Sequence, residues 1–237
     1  MRSEDRDIDP ARRRFMLRAL AGLGASWLPA RLVEAAEALA GRSIYLLSGF
    51  VTVNGRQATP EMAIRATDLI ETGSDGKIVF RVEGDAFILR RNSRLQLLPT
   101  PARDNALVQT LRLVTGGLLS VFARRAHRLE TPNATIGIRG TGVYCEIEPD
   151  RDYVCTCYGV TDISATDDPS ARETVDAGHH ESRYVLAAGL SKGRRIVQAS
   201  FKNHTDEELA LIESLVGREP AFRGARPAYE RPRRRQY

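Results

Sequence analysis

All three cysteines of this 237-residue chain, Cys145, Cys155 and Cys157, fall within 13 residues, and two of its four histidines stand side by side at His179 and His180, with His204 further on. Thiolate sulfur and imidazole nitrogen together form the donor set of zinc, copper and haem-iron sites. An i, i+2 pair on a strand shares one face, so Cys155 and Cys157 can converge on a single ion. The intervening EPDRD, residues 148–152, reads as a hairpin turn that places Cys145 on the preceding strand. With four loop residues Cys145 faces away from the other two cysteines; with three or five, all three share a face. Adjacent histidines on a strand point to opposite faces, so only one of His179 and His180 reaches the ion unless the segment is a loop, which Gly178 permits.

Three arrangements suit these residues. A soft metal ion or haem iron ligated by Cys155, Cys157 and His179 or His180, with Cys145 as a further ligand, is one. A disulfide of Cys145 with Cys155 or Cys157, leaving one thiol over, is the second; it suits an exported protein with an odd cysteine count. Buried free cysteines packing as small hydrophobes are the third. A thiolate–imidazolium pair of Cys157 with His179 would be the ingredient of an enzyme. The chain shows no Ser-His-Asp elbow, H-E-x-x-H helix or paired catalytic carboxylates. Gly137, Gly140 and Gly142 in GIRGTG precede Val143 and Tyr144 rather than a helix, so they read as turn or bulge positions instead of a phosphate loop. A non-enzymatic protein is the expectation.

The elements that must carry these groups are short strands. Residues 44–53, 77–82, 86–89, 94–98, 107–114, 118–122, 135–138, 143–147 and 153–157 are rich in β-branched and aromatic residues, and Gly, Pro, Asn or Asp closes each. Turn signals recur at Asn54-Gly55, Asp75-Gly76, Gly84-Asp85, Gly116-Gly117 and Pro149-Asp150. That spacing predicts an all-β fold, a twisted sandwich or roll of short strands, rather than βαβ units. In KIVFRV, Ile78, Phe80 and Val82 share one side while Val79 and Arg81 share the other. One helix is expected, from Asp206 to about Val216. Thr205 caps it, Glu208 completes a Thr-x-x-Glu box, and Leu209, Ile212, Leu215 and Val216 form a stripe that docks on the sheet. The Pro- and Arg-rich residues 218–237 read as a disordered basic tail.

The first forty residues read as an export signal. Arg12, Arg13 and Phe15 fit the twin-arginine pattern, and a weakly apolar, Ala- and Gly-rich stretch follows. Cleavage is expected within 35–41, giving a periplasmic mature protein. Residues 19–30 form the longest apolar run, 12 residues, against the roughly 20 of a spanning helix, so no transmembrane segment is expected. Net charge is +5, yet residues 41–216 carry 21 positive and 22 negative side chains, and the excess sits in the tail with 7 against 2. A body near neutrality gives no reason to expect nucleic acid as a partner. His127, isolated between Ala126 and Arg128, reads as a surface residue, and Arg112, Arg124, Arg125 and Arg128 as a solvated face.

IRATDLIETGSDGKIVFRVEGDAFILRRNSRLQL, LRLVTGGLLSVF and LETPNATIGIRGTGVYCEI together resemble the FecR domain family, over residues 44–166. The most specific piece is Thr131, Pro132, Ala134, Ile138, Arg139, Gly140 and Thr141; Thr67-Asp68 departs from the Gly-Asp the family often has. The resemblance implies an all-β periplasmic module over residues 41–203. It also implies a part in binding or sensing, with a small ligand or an envelope protein as partner. Family regulators relay iron-siderophore signals through a helical sigma-binding domain ahead of a membrane helix. Only 11 residues precede the arginine run here, so a stand-alone exported domain is expected. Arg139 is expected to pair with a carboxylate rather than bind an acidic ligand.

Overall fold

The computed structural model describes residues 42–99, 108–190 and 193–222. The expected export signal and residues 223–237 of the basic tail lie outside the described residues. Fifteen strands, β1(Ile44–Ser48), β2(Val51–Val53), β3(Arg56–Gln57), β4(Leu69–Thr72), β5(Lys77–Val82), β6(Asp85–Leu89), β7(Arg94–Pro99), β8(Val108–Thr115), β9(Gly117–Val121), β10(Ala126–Glu130), β11(Ala134–Glu148), β12(Arg151–Ala165), β13(Arg172–Ala177), β14(Glu181–Leu186) and β15(Ile196–Gln198), join in one curled sheet. A single described helix, α1(Asp206–Leu215), follows them. The sheet runs β1-β5-β6-β9-β11-β10-β8-β7-β4-β2-β3, with β12 to β15 attached through β11. β10 and β8 are parallel and the other described pairs antiparallel. The described residues are therefore all-β with one C-terminal helix packed on the sheet. No described helix is long and apolar enough to cross a membrane.

Period-two alternation divides the buried residues between the two faces of the sheet. Ile78, Phe80 and Val82 enter one cluster with Phe87, Leu89, Leu118, Cys145 and Val154. Val79 belongs to the other, with Ala86, Ile88, Leu119, Val121, Tyr144, Tyr153, Cys155 and Cys157. Leu209 and Ile212 of α1, both fully buried, cover this second face. A ten-residue helix is too short to persist alone in water, so its stability comes from that docking.

The hairpin β11–β12 organises everything that follows. The sequence suggested short strands broken by the glycines of GIRGTG; instead both strands run 15 residues and bend together at a bulge between Arg139 and Gly142. The bend lets each strand change neighbours. β11 pairs with β10 before it and β9 after it, while β12 pairs with β14 before and β13 after. Gly159 sits opposite the bulge at φ +83°, where a Cβ would lie 2.6 Å from Thr141 Cγ2. A side chain there would force the corner apart.

The family-like motif works structurally. Thr131 Oγ1 accepts from Ala134 N at 2.9 Å, Asn133 N donates to Asp152 Oδ2 at 2.7 Å, and Arg139 pairs with Asp162 at 2.7 Å. His127 is not a surface residue. The alternation of β10 turns it inward, and its Nε2 lies 3.0 Å from the fully buried Asp85, which Arg125 also meets at 2.7 Å. Arg125 is thus tied to the core rather than to a solvated face.

Candidate metal centre

The turn of the β11–β12 hairpin holds two residues, Pro149 and Asp150, because Glu148 pairs with Arg151. An even loop sets the parity: Cys145 lies across from Val154, and Tyr144 across from Cys155. Cys145 therefore points into the first cluster, while Cys155 and Cys157 point to the face beneath α1. The expected extra ligand and the Cys145 disulfide are both removed by this geometry, and all three cysteines are free and buried. Burial, together with the negative charges of Asp152 and Cys155, pushes the Cys145 thiol well up, so it stays protonated.

His179 and His180 occupy the turn between β13 and β14, not a strand. His180 takes φ +48° and its backbone N donates to Cys157 O at 2.9 Å. This delivers His180 to the cysteine pair, with Nδ1 3.6 Å from Cys155 Sγ. His204, one residue ahead of the Thr205 cap of α1, arrives from the other side, with Nε2 3.4 Å from Cys157 Sγ and 3.2 Å from His180 Nδ1. The four donor atoms all lie within 4.8 Å of one another. A tetrahedral ion with metal–sulfur bonds of about 2.3 Å and metal–nitrogen bonds of about 2.0–2.1 Å has donor–donor edges of roughly 3.3–3.8 Å. The three separations fall on or within 0.1 Å of that range.

The outer nitrogens of both rings are held as well. His180 Nε2 donates to Asp206 Oδ1 at 2.7 Å, and His204 Nδ1 donates to the Lys202 carbonyl at 2.8 Å. A carboxylate and a carbonyl only accept, so each ring carries a proton on its outer nitrogen and turns its other nitrogen toward the cysteines. This carboxylate–histidine and carbonyl–histidine pattern is the one that fixes imidazole ligands around metals. His179 takes the supporting role: its Nε2 meets the same Asp206 carboxylate at 3.0 and 3.1 Å. The Cys157–His179 pair considered from sequence does not form, since Cys157 faces His204.

Burial raises the Cys155 thiol, but hydrogen bonds from Cys157, His180 and His204 outweigh it and hold the group well below its usual range. Cys157 goes the opposite way, through burial and then the charge and hydrogen bond of Cys155. Burial depresses His180, yet Cys155 and Asp206 bring it above its ordinary value. Cys155 and Cys157 are fully buried and His204 is 4% exposed. Tyr144 stacks on His204 at 4.6 Å, and Phe201 packs on both ligand histidines at 4.4 and 4.6 Å. Four protein donors with no open position make a closed site, of the structural rather than the catalytic kind. A haem does not fit, because the convergent side chains fill the positions its macrocycle would need.

Sequence reasoning named Cys155, Cys157 and His180 as ligands but did not choose His204 and took Asp206 only as the first residue of the helix. His204 sits 47 residues from Cys157, and nothing local signals that docking of α1 brings it there.

No protein-family model matches the chain, and no curated protein does. The FecR resemblance therefore stands on the motif residues themselves. Among solved structures, the chain is similar to two crystal structures, at 2.50 and 1.65 Å resolution, described as a "putative anti-sigma factor" from Parabacteroides distasonis. Identities are 10% and 11%, with TM-scores of 0.45 and 0.44. Each alignment covers 61% of this chain and 64% of the other.

Proposed function

We propose that the chain is an exported, non-enzymatic binding module that holds one soft metal ion, zinc fitting best, on Cys155, Cys157, His180 and His204. The carrying observation is a set of four donors within 4.8 Å of one another, three of their separations at 3.2–3.6 Å, with both imidazoles fixed through their outer nitrogens. Two thiolates and two imidazoles in a tetrahedron favour zinc over the hard cations. Export to the periplasm is supported by Arg12, Arg13 and Phe15, and a sensing part with an envelope protein as partner by the FecR-like motif around Thr131, Pro132, Arg139, Gly140 and Thr141. Elemental analysis of protein purified from periplasm, followed by cobalt substitution, tests the centre. One equivalent of metal and the thiolate charge-transfer and d–d bands of tetrahedral cobalt are expected. Less than a tenth of an equivalent, with no such bands on adding cobalt, overturns the reading.

A further inference from the structure

The β4–β5, β6–β7 and β8–β9 turns meet the end of β11 at one edge of the fold, and with Asn203 they enclose a cleft of about 700 Å³. That volume lies within the roughly 300–1,000 Å³ of small-molecule sites. The cleft is distinct from the metal centre, since neither the four donors nor Asp206 and Lys202 line it. Buried hydroxyls brace its turns against one another. Ser93 Oγ accepts from Gly117 N at 2.9 Å, while Thr72 Oγ1 accepts from Ser93 N at 2.9 Å and donates to the Arg90 carbonyl at 2.5 Å. Asn92 N donates to Gly73 O at 2.9 Å. The wall is therefore set before anything binds. Gly117 lies so close to Tyr144 that a Cβ would come 2.9 Å from the phenol oxygen, and a side chain there would intrude on the cleft.

The charges around the cleft balance. Lys77, Arg90 and Arg91 face Asp75 and Glu146, and Glu208 of α1 adds a third carboxylate, 2.6 and 2.7 Å from Arg90 and 3.6 Å from Lys77. Several polar atoms stay uncommitted. Tyr144 Oη and Asn203 Nδ2 both donate to Glu146 Oε2, at 2.9 and 2.7 Å, which leaves Oε1. Phe50 N donates to Asp75 Oδ1 at 3.1 Å, which leaves Oδ2. The exposed side chains of Arg91 and Asn92 meet no partner among the described residues. A ligand with net charge would bring a carboxylate or a guanidinium against its own sign, whereas a sugar hydroxyl donates and accepts at once and suits both. Phe50, 56% exposed, stands beside the mouth. Its carbonyl accepts from Gly73 N at 2.8 Å, so the turn that carries Asp75 also holds the ring in place. The face of an aromatic ring carries partial negative charge, which attracts the C–H groups on the face of a pyranose. We infer that this cleft binds a short uncharged saccharide, with Asp75, Arg91, Asn92 and Glu146 on its hydroxyls and Phe50 against a ring face. The site goes beyond the metal reading and does not depend on it.

The purified full chain, applied to a printed array of uncharged glucan, xylan, mannan, galactan and chitin fragments with galacturonans alongside, tests this, followed by calorimetric titration of the best-bound trisaccharide. Saturable binding of an uncharged trisaccharide with a Kd below about 1 mM is expected. Phe50→Ala and Arg91→Ala, both changes at exposed positions, and Glu146→Gln are each expected to weaken it at least about tenfold. Arg128→Ala removes the same charge from an exposed position on β10 and is expected to change it less than about twofold. Absence of binding to every uncharged glycan overturns the inference. Preference for galacturonans also overturns it, since the cleft would then be an anion site. Binding that survives both Phe50→Ala and Arg91→Ala overturns it too, because the sugar would sit elsewhere. Saccharide binding by a protein that takes up no metal supports the cleft and overturns the centre alone.

Discussion

Replacing Asp206 by Asn isolates the part of the centre that never touches the ion. The carboxylate accepts from His180 Nε2 at 2.7 Å and from His179 Nε2 at 3.0 Å, and the two histidines hold it below the usual carboxylate range against a burial that would raise it. An amide keeps the shape and can still accept through its oxygen, but it loses the charge that makes His180 a stronger donor and fixes the ring. Losing such a partner typically weakens metal affinity by about 10–100-fold, or about 1.4–2.8 kcal/mol. Asp206 also opens α1, where a carboxylate near the helix start contributes about 0.3–1 kcal/mol. Glu207→Gln separates the two effects, because Glu207 lies in the same first turn, is exposed, and faces no ligand. Competition against a chromogenic chelator at pH 7.5 is expected to show the 10–100-fold loss for Asp206→Asn and less than a twofold change for Glu207→Gln. Equal changes in the two variants would mean that Asp206 acts only on the helix, and the carboxylate–histidine support of the centre would be refuted.

Leu209→Ala removes a fully buried side chain from the second cluster and is expected to cost about 2–5 kcal/mol in a denaturant titration of the metal-loaded protein. Leu211→Ala, at a position 47% exposed, is expected to change stability by less than about 0.5 kcal/mol, and equal costs would show that α1 is not docked as described. Acid is expected to loosen the same region. The carboxyls of Asp206 and Glu208 sit below their ordinary values in the folded chain: burial raises both, but the histidines and Arg90 respectively outweigh it. Their contribution is therefore complete above about pH 4.5 and lost as pH falls through the folded values. Burial raises Glu213 instead, so its contribution is lost as pH rises, and Glu213→Gln should leave the acid transition in place, which melting temperatures between pH 3 and 6 will check. Arg12→Lys with Arg13→Lys is expected to abolish periplasmic delivery, because an ammonium cannot reproduce the guanidinium fork; unchanged periplasmic yield would refute twin-arginine export.

Local chemistry was readable in the chain, and assembly was not. Thr205 caps α1 as its type and position predict, accepting from Glu208 N at 3.2 Å. The reciprocal half of the box is missing, because Glu208 reaches across to Arg90, a partner 118 residues away that no window of sequence contains. Strand faces were equally plain in KIVFRV, where the two sides go to different clusters. The cysteine hairpin shows where this kind of reading stops. Alternation along each strand is certain, but whether Cys145 joins Cys155 depends on the parity of the turn, and EPDRD permits either. The strands β13 to β15 went unread for a related reason: RETVDA and ESRYVL mix charge with short apolar stretches, and the long β12 supplies the pairing that makes them strands, its second half for β13 and its first half for β14. The centre itself combines all these limits. Its donor types announce a soft ion, yet the features that single it out are a ring nitrogen brought in by the docked C-terminal segment and the acceptors behind both rings. One of those acceptors is the carbonyl of Lys202, a group every residue possesses, so only the folded backbone can reveal that it orients a ligand.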